Sequence, residues 1–154
     1  MSEIRLKLHP RQSLAFLSKA TEILYGGAGK SHLMRVVAIM LCMAVAGLQV
    51  YIFRRVSDDL RKNHLEGPSG LRTMLAALMT SGHVKFNDSK GIFEFWNGAK
   101  IYLCHCQHEK DMYKYQGAQI HVLLMDELTL FTEAIYRFLR GRVRLGGLNV
   151  PSEY

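Results

Sequence analysis

The sequence is short of cysteine: it has three, Cys42, Cys104 and Cys106, an odd number with no scaffold-like spacing. That excludes a small secreted module held by disulfides and points to a reducing compartment, the cytoplasm. A long hydrophobic run is also lacking. The most apolar stretch, residues 36–48, consists of thirteen apolar or small residues, fewer than the roughly 20 needed to span a bilayer. Extending it to Phe53 brings in Gln49 and a strand-like pattern, so a buried helix followed by a strand is expected and no membrane span. The opening MSEIRLKLHPRQ has no apolar leader core. There is no low-complexity tract and no internal repeat, which excludes a disordered chain or a repeat array.

What is present suits a globular domain. The 154 residues are 49% hydrophobic and 21% charged, enough for one domain that buries roughly 70% of the surface its unfolded chain exposes. Lys and Arg total 20 against 13 Asp and Glu, a net charge of +7 and a pI near 9.5, a balance that favours polyanionic partners such as nucleic acid. The segment CHCQH, residues 104–108, holds Cys104, His105, Cys106 and His108. Its C-x-C pair has no second ligand pair at finger-like spacing, so it does not read as a zinc site. Cys104 and Cys106, two apart on a strand, are expected to face the same side.

The periodicity predicts a helix over 10–20, with Pro10 in its first turn and Leu14, Phe16, Leu17 and Ala20 on its apolar face. A short strand is expected over 21–25, then glycines, a helix over 30–46 stopped by Gly47, and a strand over 50–53. A polar helix runs from Arg54 to about His64. GPSG at 67–70 breaks the chain before a second short helix over 71–79. Strands follow at 84–86, 92–96 and 100–104, with a hairpin turn at Asn97-Gly98, forming a meander that decorates the main sheet. A polar connection over 109–115, a buried strand over 121–125, and an amphipathic helix over 132–144 with Ile135, Phe138 and Leu139 inward complete the chain before a terminal loop. Strands alternating with helices imply an α/β fold with a mainly parallel sheet flanked by helices and an inserted hairpin or meander. The ligand crevice is expected at the carboxyl ends of its strands.

Two segments carry chemistry. In ILYGGAGKS, 23–31, Gly26, Gly27 and Gly29 precede Lys30 and Ser31 at a helix start, where backbone N–H groups and the helix N-terminus can hold phosphate oxygens. Lys30 would reach the β- and γ-phosphates, and the Ser31 hydroxyl would bind Mg²⁺. The standard loop asks for a glycine six positions before the lysine, where Leu24 stands, so this loop is two residues short. That is about 7 Å of extended chain, more than the breadth of a phosphoryl group, so the usual wrap around a β-phosphate would require neighbouring turns to unwind. In HVLLMDEL, 121–128, four apolar residues end in Asp126 and Glu127, the form in which a strand delivers a carboxylate to Mg²⁺. Asp126 would hold the metal through water, and Glu127 would act as general base toward the water attacking the γ-phosphate.

In this combination the chain resembles the N-terminal ATPase domain of the large terminase subunits of tailed double-stranded-DNA phages, the motors that package genomes into procapsids. The likeness runs over about 9–154. It is carried by LHPRQ, LYGGAGKSH and its following helix, VYIFRR plus DDL, YQGAQ, and VLLMDELTLF followed by FLRGRVR. The resemblance implies a P-loop NTPase-like core of the additional-strand, catalytic-glutamate type that couples ATP hydrolysis to DNA translocation, with ATP and Mg²⁺ as cofactors. It further implies that Gln12 contacts adenine, that Gly26, Gly27, Gly29, Lys30 and Ser31 hold phosphates, that Ser31 and Asp126 serve the metal, and that Glu127 is catalytic. Arg54 or Arg55 stands where the family commonly has an arginine. Implied partners are double-stranded DNA, a small terminase subunit, a portal and further copies of the chain, in the host-cell cytoplasm. Family members carry a longer loop, often with an arginine in it, and continue into a coupling strand and a nuclease domain. The chain is therefore expected to be a partial ATPase domain without the nuclease. Arg137, Arg140, Arg142 and Arg144 are candidates for DNA or a neighbouring subunit. The short loop leaves open an inactive remnant that serves as a DNA-binding or subunit-interaction module.

Overall fold

In the computed structural model, which describes residues 4–153, the run QVYIFR forms strand β1, Gln49–Arg54, apolar on both faces because both are covered. Val50 and Ile52 point into one core, and Tyr51 and Phe53 into the other, as the two-residue repeat of a strand requires. The sheet has five strands in the order β2-β3-β4-β1-β5, where β2 is Val84–Asn87, β3 is Ile92–Phe95, β4 is Lys100–His105 and β5 is Val122–Met125. β1 runs parallel to β4 on one side and to β5 on the other, while β2-β3-β4 is an antiparallel meander.

Helix α2, Lys30–Ala44, buries Leu33, Val36, Ile39 and Cys42, a stripe at three-residue spacing that lies along one face of the sheet. The short helices α3, Ser57–Leu60, α4, Leu71–Met74, and α5, Ala76–Thr80, add Leu60, Leu71, Leu75 and Leu78 to the same core. Each fully buried Leu, Ile or Phe contributes about 1.5–3 kcal/mol relative to exposure. The Asn97-Gly98 turn, with Gly98 at φ 81°, also closes the end of α2: Asn97 Nδ2 donates to Cys42 O at 2.8 Å, and Gly47 N to Asn97 O at 3.1 Å. On the other face helix α6, Glu133–Arg140, seats Ile135 and Leu139 against Tyr51 and Phe53. Thr132 caps α6, accepting from Ile135 N at 3.3 Å. Thr132→Ala should lower unfolding free energy by about 1 kcal/mol, read as a urea midpoint shift at unchanged slope.

Several expectations need correction. The first helix, α1, ends early, spanning Pro10–Phe16. Its supposed apolar face is mostly outside: Leu14 and Leu17 are each 73% exposed, Phe16 is half-buried, and Gln12 is the buried residue. Residues 21–25 form no strand, and Ile23 and Leu24 are exposed, because no sheet edge pairs with them. The polar helix begins as α3 and then widens into a π-helical turn, Arg61–Leu65, with Glu66 N donating to Arg61 O five residues back. The segment 71–79 is two helices, broken at Leu75. The sheet is mixed, with two parallel and two antiparallel pairings. The meander is no decoration, since β4 pairs directly with β1. β5 is half-buried throughout: it pairs with β1 on one side and is the last strand of the sheet on the other, and just before it Ile120 forms an isolated bridge with Val143. The connection 109–115 is a 3₁₀ helix, Glu109–Tyr115. No described helix is long and apolar enough to cross a membrane. The reading of the opening residues as leader-free rests partly on 1–3, outside the described residues.

Candidate functional site

Three parts of the chain meet at one carboxylate. Pairing of β5 with β1 places Asp126 N on Phe53 O at 2.9 Å, so Asp126 sits at the carboxyl ends of both strands, beside Arg54 and the first turn of α2. Asp126 is completely buried. Its Oδ2 accepts from Ser31 Oγ at 2.8 Å, from Arg54 Nη1 at 2.7 Å and from His64 Nε2 at 2.8 Å, while Oδ1 accepts from Glu127 N at 3.0 Å. Ser31 and Asp126 are 95 residues apart in sequence. The sequence motifs are thus one constellation in space.

Burial alone would push the Asp126 carboxyl up. The hydrogen bonds from His64 and Ser31 and the neighbouring positive charge outweigh it and hold the group down at about 2. The His64 imidazole goes below its ordinary value, driven by burial and by Arg35 and Arg54 against the pull of Asp126. It is neutral at neutral pH. Since a carboxylate only accepts, Nε2 carries the hydrogen; His64 therefore gives Asp126 a hydrogen bond, and Arg54 gives it the counter-charge. Arg35, in α2, is buried, donates to Asn63 O and lies in the field of Asp126.

The glycine loop approaches from the solvent side. Gly29 caps α2 at φ 82°, a left-handed conformation, and a Cβ there would fall 2.5 Å from Gln12 Nε2. Gly27 is at φ 107°, and a Cβ on Gly26 or Gly27 would meet nothing within 4 Å, so the loop opens on free space. No side chain caps α2, which leaves its first N–H groups and the positive end of its dipole to face that space. Lys30 Nζ lies 3.8 Å from Glu127 Oε1, with both side chains about one-third exposed. Glu127 is at φ 55°, the one non-glycine residue with positive φ among those described. That conformation costs roughly 1–2 kcal/mol, a strain of the kind that collects at working sites.

Of the residues expected to serve a nucleotide, Lys30, Ser31, Arg54, Asp126 and Glu127 come together. Arg54 is the inward member of the arginine pair, and Arg55 is exposed. Gln12 does not present a free amide: Nε2 donates to Gly29 O at 2.9 Å and Oε1 accepts from His9 N at 2.9 Å. An adenine contact would have to use its second amide hydrogen. His64 and Arg35 were not foreseen. A lone His in the polar run RKNHLEG has no periodic signal, and Arg35 differs from a surface arginine only in preceding the apolar stretch 36–48.

The arginines near the C-terminal end are mostly engaged. Arg137 pairs with Glu133 at 2.6 Å and Arg140 with Glu22 at 3.0 Å. Arg142 donates to Gln116 O at 3.0 Å and lies over the Phe138 ring. Such exposed pairs are worth about 0–1 kcal/mol and yield readily to a phosphate. Cys104 and Cys106 are buried in one cluster, their thiols pushed up by burial to about 12 and about 11. The described residues contain no group of three or more His, Cys, Asp or Glu placed to hold a metal among themselves.

A family model for the N-terminal part of the terminase large subunit, T4-like-virus type, matches residues 26–147. No curated protein and no solved structure matches the chain.

Proposed function

The chain belongs to the T4-like terminase large-subunit family, N-terminal part, and from that premise we propose that it is the ATP-hydrolysing core of a viral DNA-packaging motor with a P-loop NTPase-like fold. The observation that carries this reading is the 2.8 Å bond between Ser31 and Asp126, with Lys30 and Glu127 beside it. A magnesium nucleotide fits these residues. Ser31 and Asp126 offer hard oxygen donors side by side, the uncapped start of α2 supplies N–H groups for phosphate, and Gly26 and Gly27 leave room for it. When bound, the metal neutralises charge developing on the transferred phosphoryl group.

The chain's own residues divide the remaining work. Lys30, now paired with Glu127, would turn its ammonium to the β- and γ-phosphates and so release Glu127 to accept a proton from the attacking water. His64 holds the Asp126 carboxylate in one orientation. Gln12 braces Gly29 from behind. The basic balance of the chain suits double-stranded DNA as the moved polymer, and a small terminase subunit, a portal and further copies of the chain are the partners this reading expects. Titration with a fluorescent ATP analogue tests it: binding should require Mg²⁺, and Lys30→Ala should weaken it at least about tenfold, the loss of one charge-assisted contact. Metal-independent binding, or none, would sink the nucleotide reading.

The brevity of the loop favours a second reading, a hydrolytically silent module that binds DNA or a neighbouring subunit. It predicts DNA affinity that falls steeply with salt, through counterion release by lysine and arginine, in a chain with no ATP turnover.

A further inference from the structure

The three donors on Asp126 Oδ2 are more than its two lone-pair sites serve well, whereas among the described residues Oδ1 receives one, Glu127 N. These donors differ in their freedom to leave. His64 is fully enclosed, with no partner for Nδ1, and is held in the π-helical turn. Ser31 is fixed by the first turn of α2. Arg54 is the last residue of β1, its side chain is 14% exposed, its Nε has no partner, and the acceptor it uses is Asp126. Of the three, Arg54 alone has a long side chain with a path to solvent.

We propose that Arg54 is a resident counter-ion, seated on the Asp126 oxygen that a divalent cation needs, and that cation entry and Arg54 release are a single exchange. The proposal rests on the nucleotide reading above. A guanidinium and a dication cannot share one carboxylate oxygen, because each repels the other at hydrogen-bond distance and both need the same lone pairs. The exchange keeps every charge matched. Before it, Asp126 is neutralised by Arg54; after it, Asp126 faces the metal and the planar guanidinium fork meets the phosphate oxygens that arrive with it. The buried carboxylate therefore never stands unpaired, and metal without nucleotide is disfavoured because Arg54 then gives up its ion pair with no phosphate to replace Asp126. Arg54 in this way makes metal binding depend on the phosphate.

Mn²⁺, an oxygen-seeking stand-in for Mg²⁺, can be titrated into the nucleotide-free chain and followed by electron paramagnetic resonance. Arg54→Gln should bind it about tenfold more tightly than the wild type, Arg54→Lys should stay near the wild type, and Asp126→Asn should remove binding in either background. In the wild type, the hindered guanidinium resonances of Arg54 should change as Mg·ATP is added, a measurement that does not depend on any variant folding. Arg54→Gln no tighter than wild type, or Arg54 resonances unmoved at saturating Mg·ATP, overturns the exchange while leaving the nucleotide site standing. Mn²⁺ binding in the presence of ATP that ignores both Ser31→Ala and Asp126→Asn overturns the nucleotide reading itself, and the exchange with it.

Discussion

Glu127→Gln is expected to lower ATP turnover about a thousandfold with Mg·ATP affinity unchanged, the middle of the range for removing a general base. The selectivity follows from where Glu127 sits. Its side chain is about one-third exposed and its ion-pair partner among the described residues is Lys30 at 3.8 Å, while the bond it gives Asp126 comes from its backbone N, which the substitution keeps. An exposed pair of that length is worth about 0–1 kcal/mol, so neither the fold nor the Asp126 cluster depends on it. Glutamine keeps the volume and can still orient a water, but it cannot take the water's proton. The strained φ of 55° belongs to the backbone and survives the substitution. Steady-state hydrolysis and analogue titration on the same preparation decide the matter: turnover within a few-fold of wild type would remove Glu127 from the chemistry, while a matching fall in affinity would make it a binding group.

How much of this was legible in the sequence depends on whether a feature is local. The glycine loop, the Lys30 helix start, the β1 run and the Asp126-Glu127 end of β5 are fixed by neighbours in the chain, and each stands where the sequence places it, within a residue or two. Residues 21–25 carry a good strand composition, but a strand exists only where an edge accepts it, and no local pattern reports that edge. α1 failed in a related way: Leu14 and Leu17 have the right spacing but stay exposed, while Gln12 is buried because Gly29 O and His9 N satisfy both ends of its amide. Sheet order was also out of reach. The meander looked like an insertion because its strands are consecutive in sequence, and only the parallel pairing of β4 with β1 makes it part of the main sheet. The largest omission was His64, for its significance lies entirely in a partner 62 residues away.

That omission matters because the Asp126 cluster also holds the fold together. Asp126→Ala should cost about 3–5 kcal/mol, the usual penalty for stripping one partner from a buried charge pair. For a domain of this size that corresponds to a fall in Tm of roughly 10 °C. The loss is large because Arg54, His64 and Ser31 all give up their shared acceptor at once, and His64 has no route to water. Asp126→Asn keeps the shape but loses the charge, which makes it the better probe of acid behaviour. The folded carboxyl lies near 2, below its ordinary 3.8, so it contributes about 2 kcal/mol that is fully present above the unfolded value and lost as pH falls toward 2. His64, held low by burial, erodes stability from a higher window, beginning below its ordinary 6.5 in both proteins, and more deeply in Asp126→Asn, where the upward pull of the Asp126 charge is gone. Urea unfolding between pH 5 and pH 2 should therefore show an additional decline in the wild type that Asp126→Asn lacks. Parallel declines in the two proteins would mean that the charge of Asp126 contributes nothing to folding, and that its place in the core is set by shape alone.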